Sequence, residues 1–220
     1  MNNNYKVIDT ANWVRKGNYE WFKDFTNPTF SFNVKVDVTS VVNFSKKTNT
    51  SFFVNFLYVI TRVNNEIEAL RLRLVDGKVL LYDKINPTFV IKTIDGCFNN
   101  GESIYYKEYE KFYNEVKAEV NKQNGYTNKD KVYNEPYYDV FYSSCLTTIS
   151  IEGMTHPLNS NDRNSINVPR IFWDKYRLED GKYILLLNMT VSHALIDGEE
   201  LVKAFNVIKE YCLDFEKIIK

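Results

Sequence analysis

The sequence lacks an excess of charge of either sign. Lys and Arg together number 28, and Asp and Glu also number 28, which gives a formal net charge of +0 at pH 7. Nucleic acids and anionic membrane surfaces attract proteins whose surface is strongly basic. We therefore expect neither a nucleic-acid partner nor a membrane partner for this chain.

Long apolar segments are missing as well. The longest purely aliphatic run, residues 184–187, is far shorter than the roughly 20 apolar residues that a membrane-spanning helix needs. Residues 1–6 (MNNNYK) lack the apolar core of a secretory signal. The three cysteines are odd in number and form no CxxC pair, a usage typical of reduced thiols in a cytoplasm. We predict a cytoplasmic protein.

Common nucleotide and metal motifs are also absent. The eight glycines lie singly and form neither GxGxxG nor GxxxxGK[ST], so no glycine-rich phosphate loop is expected. His156 and His193 are the only histidines, and no acidic residues cluster around them at the spacing of metal ligands. We therefore expect no metal site.

Helical and strand patterns alternate along the 220 residues, 44% of which are hydrophobic. Alternating or short apolar runs predict strands at 30–37, 70–75, 79–82, 88–91, 140–151, 171–178 and 183–191. Apolar residues at helical spacing predict helices at 10–25, from 39, from 50 or 51, at 103–120 and from 198. This order indicates an α/β fold, a two-layer sandwich in which helices cover a mixed β-sheet. Neither side of the polar stretch 121–135 holds a complete set of strands, so we expect one domain over residues 1–220.

The most informative stretch is residues 191–200, VSHALIDGEE. The apolar run before it predicts a strand buried on both faces, and the apolar residues after it follow one helix face. Asp197, with Glu200 three positions later, predicts a helix N-cap with a capping box. His193 therefore leaves a buried strand four residues before a helix begins, which is where α/β folds place chemistry.

His193 has two interpretations on this motif alone. A histidine after an apolar strand is more often packed and hydrogen-bonded than catalytic. Alternatively, an imidazole, whose reference pKa is ~6.5, can act as a general base that takes a hydroxyl proton in acyl transfer to an alcohol. A cysteine nucleophile beside His193 also stays open, although no local signature supports it.

Residues 193–198, HALIDG, match the HxxxDG signature of the acyl-CoA-dependent acyltransferase superfamily. Further segments in the same order resemble chloramphenicol acetyltransferases: NWVRK at 12–16, YEWF at 19–22, VDVT at 36–39, LRLRL at 70–74, NP at 86–87 and KY at 175–176. The resemblance covers nearly the whole chain. It implies an acetyl-CoA-dependent O-acetyltransferase acting on a small hydroxyl acceptor, chloramphenicol above all, and therefore linked to antibiotic resistance. It also implies a homotrimer with active sites at the subunit interfaces.

The resemblance assigns roles to particular residues. His193 occupies the position of the general base, and Ser144 that of the serine that hydrogen-bonds the oxyanion. Because Ser143 is adjacent, the alignment leaves open which of the two serines has this role. Asp197 and Arg15 match a buried ion pair that supports the site.

Aromatic positions match the family as well. Tyr176 matches an aromatic that lies against the coenzyme A adenine, with an exposed strand tyrosine as the alternative. Phe22 and Phe30 fall on acceptor-pocket positions, with simple core residues as the alternative.

The sequence also departs from the family pattern near the pocket. Phe172 stands where the family has a threonine that helps to bind the transition state through water. The other departures are Ser192, Thr147-Thr148 and Glu199-Glu200. None of them alters the base or the Arg15–Asp197 pair, so we expect acetyl transfer to be retained.

Two other functions are compatible with the sequence. The motif SHALIDG is also similar to the catalytic core of dihydrolipoamide acyltransferases, but we find no lipoyl or subunit-binding module in these residues. A non-catalytic ligand-binding homologue is permitted by Phe172. The presence of His193, Ser144, Arg15 and Asp197 favours an enzyme.

Overall fold

The structure, a computed structural model, describes residues 4–127, 129 and 137–220. The strands are β1 Tyr5–Val7, β2 Thr29–Asp37, β3 Leu72–Val75, β4 Lys78–Tyr82, β5 Asn86–Lys92, β6 Phe98–Glu102, β7 Val140–Cys145, β8 Arg170–Trp173, β9 Arg177–Glu179 and β10 Lys182–Ser192. The α-helices are α1 Lys16–Phe22, α2 Thr39–Thr48, α3 Phe52–Glu66, α4 Tyr109–Asn124, α5 Gly198–Leu213 and α6 Phe215–Ile218. Short 3-10 helices lie at Glu68–Arg71 and Ser165–Asn167.

Most strands join one mixed sheet in the order β2-β10-β8-β7-β5-β6, and β9 pairs with the start of β10. The longest strand, β10, is antiparallel to both β2 and β8, whereas β7 is parallel to both β5 and β8. A small separate sheet has the order β1-β4-β3. The predicted mixed sheet with covering helices is confirmed.

The two faces of the large sheet differ in what covers them. Successive strand residues point to opposite faces, and one face packs Val36, Ile171 and Leu187 into the hydrophobic core that also contains helix residues. The opposite side, called the second face from here on, carries residues that pair laterally in two rows. One row is Asn33, Asn188, Phe172 and Ser144, and the next contains Thr190, Arg170 and Tyr142.

Part of the segment between β7 and β8 lies over the second face. Asn188 Nδ2 donates to the carbonyl oxygen of Met154 (3.4 Å), and its Oδ1 lies 3.0 Å from His156 Nε2. Asn188 Nδ2 also donates to Asn33 Oδ1 (2.9 Å). These contacts hold the connecting segment against the middle of β10.

Strong local patterns were sufficient for several elements. The predicted strand at 30–37 and the helices starting near 39 and 51 are present. Ser51 caps α3, its hydroxyl accepting from the Val54 N–H (3.5 Å). Asp76 and Gly77 join β3 to β4 with φ of 48° and 76°, and two positive φ values are what a two-residue hairpin turn requires.

The N-terminal helix prediction is wrong in extent. Only Lys16–Phe22 of the predicted 10–25 is helical. The Asp9 carboxylate accepts from the Ala11 N–H (3.0 Å) and from Asn12 Nδ2 (2.7 Å). A side chain that bonds to the next few residues favours a turn over a helix.

The predicted helix at 103–120 begins later, at Tyr109, and ends at Asn124. Residues 103–108 of that range are neither helix nor strand. β6 ends just before them at Glu102 and pairs with β5, and the Ser103 N–H extends this pairing by donating to the Pro87 carbonyl (3.2 Å). The predicted loop 121–135 is therefore helical at its start. Its residues 128 and 130–135 lie outside the described residues.

Two predicted strands are shorter than expected. The strand at 140–151 ends at Cys145, and the strand at 171–178 is interrupted between Trp173 and Arg177. The Asp174 carboxylate accepts from the backbone N–H groups of Leu186 (2.7 Å) and Ile151 (2.9 Å). The buried Asp174 side chain thus accepts the hydrogen bonds that backbone carbonyls would accept in a continuous strand.

Within the described ranges, no helix is both long enough and apolar enough to cross a bilayer.

Candidate active site

The backbone around His193 is fixed on both sides. Its N–H donates to the carbonyl oxygen of Pro28 (2.8 Å), just before β2. The N–H groups of Leu195 and Ile196 both donate to the Ser192 carbonyl (3.0 Å each) and form a tight turn before α5. His193 thus occupies the predicted position between a buried strand and a helix.

The His193 imidazole lies between two phenylalanine rings. Phe22 stacks on it with ring centroids 4.3 Å apart and an interplanar angle of 5°, and Phe30 lies at 4.5 Å and 37°. The His193 side chain is nevertheless 34% exposed. Phe22 and Phe30 therefore contact the imidazole itself and are more than distant core residues.

One edge of the His193 ring faces Asp197. Nδ1 is buried and lies 3.4 Å from Asp197 Oδ1, without the geometry of a hydrogen bond. Because Nδ1 is covered, the exposed part of the ring is the edge that carries Nε2. Nε2 is therefore the nitrogen that can reach a substrate.

Asp197 is held by residues from the other end of the chain. Arg15 Nη1 lies 2.8 Å from Asp197 Oδ2 and 3.5 Å from Glu200 Oε2. The resemblance implied a buried pair: the guanidinium nitrogens of Arg15 are buried, whereas the Asp197 side chain is 30% exposed. The guanidinium makes no aligned hydrogen bond. We therefore expect the pair to stabilise the protein by less than the several kcal/mol typical of breaking a buried pair.

The capping-box prediction is wrong in its side-chain contacts. Asp197 is the N-cap residue of α5, but its carboxylate makes no cap hydrogen bond. It faces Arg15 and Asn18 instead, and Glu200 also lies towards Arg15. The Arg15 guanidinium attracts both carboxylates. Because Arg15 is distant in sequence, the spacing of residues along α5 cannot predict this contact.

Asn18 was not singled out by the sequence. Its Nδ2 donates to both carboxylate oxygens of Asp197, at 3.0 and 3.1 Å. Asn18 is an exposed residue of α1 and belongs to no motif, so no signal in the sequence alone marks it. It ties α1 to the turn that follows His193.

Ser144 and Ser143 point to opposite sides of the sheet. Ser143 is buried on the helix side, and its hydroxyl donates to the Thr88 carbonyl (2.8 Å). Ser144 lies on the second face, directly opposite Phe172. The structure thus distinguishes the two serines that the sequence left open, and Ser144 is the one beside Phe172.

A single chain does not bring Ser144 to His193. Phe172, the neighbour of Ser144, pairs with Asn188, which lies five residues before His193. At about 3.3 Å per residue this is roughly 16 Å along β10, with about 10 Å more across two strand spacings. The two residues are therefore separated by on the order of 19 Å.

Tyr176 lies near the start of β10, away from the end of that strand that leads to His193. It follows β8, is half-buried, and packs edge-on against Phe52 (4.8 Å) and Tyr183 (5.4 Å). Lys46 Nζ lies 4.4 Å from the centre of the Tyr183 ring. Tyr176 is thus neither an exposed nor a strand residue, and it belongs to an aromatic cluster bordered by a cation.

Comparison with known proteins gives one consistent relationship. The sequence model described as chloramphenicol acetyltransferase matches residues 3–209. The chain is 28% identical over 210 residues to a chloramphenicol acetyltransferase of Proteus mirabilis, covering 94% of each chain. It is 23% identical over 216 residues to one from Escherichia coli, covering 96% of this chain and 95% of the relative.

The chain belongs to the chloramphenicol acetyltransferase family.

Solved structures agree with this assignment. A chloramphenicol acetyltransferase of 26% identity superposes with a TM-score of 0.83, covering 95% of this chain and all of the other. A dihydrolipoamide acetyltransferase of Azotobacter vinelandii, 17% identical, gives 0.68 and shares the fold. The predicted family, fold class and acyltransferase assignment are confirmed.

In this member of the chloramphenicol acetyltransferase family, Asn18→Ala removes two hydrogen bonds to Asp197. We expect kcat to fall by roughly 2- to 10-fold, because one or two such bonds at an exposed site are worth about 0.5–1.5 kcal/mol. KM should not change, since Asn18 acts through Asp197. Steady-state kinetics measures this, with Asn12→Ala as control. Asn12 also bonds to a carboxylate, that of Asp9, but away from His193. Equal losses in both variants would contradict a positioning role for Asn18.

Proposed function

We propose that this chain is an acetyl-CoA-dependent O-acetyltransferase in which His193 is the general base and chloramphenicol the expected acceptor. The observation that carries the proposal is the setting of the His193 ring. Phe22 and Phe30 cover its faces, Asp197 lies at its Nδ1 edge and its Nε2 edge is open. A ring held in this way can accept a proton from a substrate only at Nε2.

Acetyl-CoA supplies the acetyl group as a thioester. Nε2 of His193 takes the proton of the acceptor hydroxyl, whose oxygen forms the new ester bond. Asp197, 3.4 Å from Nδ1, offers negative charge to the imidazolium that forms. Ser144 donates its hydroxyl hydrogen bond to the carbonyl oxygen as it becomes negative. His193 then returns the proton to the departing sulfur, so protons and charges balance.

We propose that the active site is shared between copies in a homotrimer. The separation of Ser144 from His193, on the order of 19 Å by strand spacing, supports a site completed by a neighbouring copy. Exposed apolar residues lie near both parts of the proposed site. Val14 and Trp21 lie in or next to α1, on the His193 side, and Leu146 and Ile149 follow β7, which carries Ser144. Exposed apolar groups of this kind often mark protein interfaces. Head-to-tail contact between two unlike surfaces forms a closed ring of three when the rotation between copies closes after three steps.

The residues around Tyr176 suit the adenine end of coenzyme A. The rings of Tyr176, Phe52 and Tyr183 form an aromatic surface, and Lys46 adds a cation at its border. Aromatic rings stack on a purine, and an ammonium group binds phosphate, so these residues fit an adenine nucleotide. We propose that Tyr176 contacts the adenine.

We propose a single domain and a cytoplasmic location, on the basis of the hydrophobic core and the free cysteines. One hydrophobic cluster includes residues from Tyr19 to Ile218, which supports a single acetyltransferase domain over 1–220. Cys97, Cys145 and Cys212 are free, which suits a reducing cytoplasm. Acetylation of chloramphenicol there would give antibiotic resistance.

The test is release of the coenzyme A thiol from acetyl-CoA with chloramphenicol, with dihydrolipoamide or without acceptor. We expect release with chloramphenicol and none without acceptor. The rate should be modest, because Phe172 has no polar group to offer the transition state. If the thiol is released only with dihydrolipoamide, dihydrolipoamide and not chloramphenicol is the acceptor. Absence of release with either would contradict acetyl transfer to these acceptors.

A further inference from the structure

Arg170 lies beside the residues of the proposed acceptor pocket. On the second face it pairs with Thr190 of β10 and with Tyr142 of β7. It is two residues from Phe172, and Tyr142 is two residues from Ser144, so Arg170 and Ser144 are diagonal neighbours. Such neighbours are about 7–8 Å apart between Cα atoms, within reach of one small ligand.

Arg170 is largely buried as a residue, and its guanidinium has few protein partners. The residue is only 7% exposed. Nη1 donates to the Val168 carbonyl (3.1 Å), and the guanidinium carbon lies 5.4 Å from the Tyr142 ring centre. A guanidinium carries five N–H donors, so most of its donors have no protein acceptor in the described part of the chain.

Acidic residues do not neutralise this charge. Among residues 4–127, 129 and 137–220, no carboxylate forms an ion pair with Arg170 within 4.0 Å. Asp162 acts on it only through space, because its Oδ1 accepts from Tyr138 Oη (3.1 Å) and from the Ser165 N–H (3.1 Å). Burial accordingly lowers the pKa of Arg170 below its usual value.

Arg73 shows what a structural buried arginine looks like in the same protein. It is fully buried, and its guanidinium donates to four backbone carbonyls, those of Leu70, Leu72, Tyr138 and Val140. Its donors are thus used to join chain segments. Arg170 joins only one carbonyl, and its other nitrogens are not among the fully buried atoms without a partner, so they are accessible to a ligand.

We propose that Arg170 determines the acceptor class, selecting hydroxyl compounds that also carry a carboxylate or similar planar anion. A guanidinium binds a carboxylate through two parallel hydrogen bonds, and an anionic acceptor would supply the countercharge that the described protein residues do not. A neutral nitro group accepts hydrogen bonds more weakly. The inference rests on the proposed function, since it concerns the acceptor of that reaction.

The test uses two acceptors that differ only in charge, 4-(hydroxymethyl)benzoate and 4-nitrobenzyl alcohol. For the parent protein we expect kcat/KM to be roughly 10- to 100-fold higher with the benzoate, the range for a charged hydrogen-bonded pair. Arg170→Met should remove this preference by lowering kcat/KM for the benzoate to about the value for the nitro alcohol. Arg170→Lys keeps the charge without the paired donors and should be intermediate.

Two controls separate specific binding from other effects. Lys35→Met removes an exposed cation that pairs with Glu179 on the same sheet (3.2 Å) and should leave the preference intact. If Arg170→Met fails to fold, competition in the parent gives the answer. In that case, 4-methylbenzoate should inhibit chloramphenicol acetylation at least about tenfold better than 4-nitrotoluene.

The outcomes are distinct. Acetylation of chloramphenicol with equal kcat/KM for the two alcohols would overturn the role of Arg170 and leave the proposed function standing. A preference for the benzoate that survives Arg170→Met would also overturn it. No thiol release with any acceptor would refute the proposed function, and the acceptor inference with it.

Discussion

Replacing His193 with alanine is expected to lower the rate of acetyl transfer by about 10²–10⁴-fold, the usual contribution of a positioned general base. Nε2 lies on the one exposed edge of the ring, and the described residues near it offer no second imidazole, because His156 is bonded to Asn188 over the middle of β10. The KM for acetyl-CoA should change little. Thiol release at saturating acetyl-CoA measures the effect.

Ser192→Ala is the matched control for the His193 variant. Ser192 precedes His193 and is fully buried, yet its hydroxyl has no hydrogen-bond partner. Removing an unpartnered buried hydroxyl should cost no stability, and activity should remain near the parent value. The role of His193 would be refuted if its alanine variant, folded by circular dichroism, kept more than about a tenth of the parent rate.

Local sequence determined the elements with strong, self-contained patterns. Local sequence is enough to predict three of them: the apolar run that forms β10, the helical spacing that forms α5, and the Asp76-Gly77 turn. Elements that depend on distant partners were harder. β6 consists of residues FNNGE, which alternate too weakly to indicate a strand, and it exists because β5 offers an edge for pairing.

The site followed the same division. The place of His193 at a strand end was predictable from the chain around it. The two phenylalanine rings were placed near the site only by resemblance, because nothing in the spacing of Phe22, Phe30 and His193 shows that they meet. The contacts of Asp197 with Arg15 and Asn18 join residues about 180 positions apart, so they exist only in the folded chain.

The distribution of the site along β10 is the feature that sequence reasoning could not reach. Strand register places Ser144 beside Phe172 and Asn188, whereas His193 lies past the far end of the strand. Tyr176 and Tyr183 lie near the start of β10, also away from His193. The proposed base is therefore distant, within one copy, from the proposed oxyanion and coenzyme A residues, as the proposed shared site requires.

Mixing two inactive variants is expected to restore activity. His193→Ala damages one half of the site, and Ser144→Ala damages the other, with an expected loss of about 10²–10³-fold for an oxyanion donor. In a head-to-tail ring each site takes His193 from one copy and Ser144 from the next. With random assembly of equal amounts, about one quarter of the sites combine two intact residues. Activity should reach roughly 25-fold or more above that of Ser144→Ala alone.

The control for this experiment is a mixture of His193→Ala with Asp197→Ala. These two residues lie 3.4 Å apart in the same half, so a copy that supplies an intact His193 always supplies a damaged Asp197, and mixing should restore nothing. Sedimentation should give about three times 25.9 kDa for the parent and for both mixtures. If the His193→Ala and Ser144→Ala variants form mixed trimers but recover no activity, the site is not shared between copies. The roughly 19 Å between the two residues, estimated from strand spacing, would then exclude Ser144 from the mechanism.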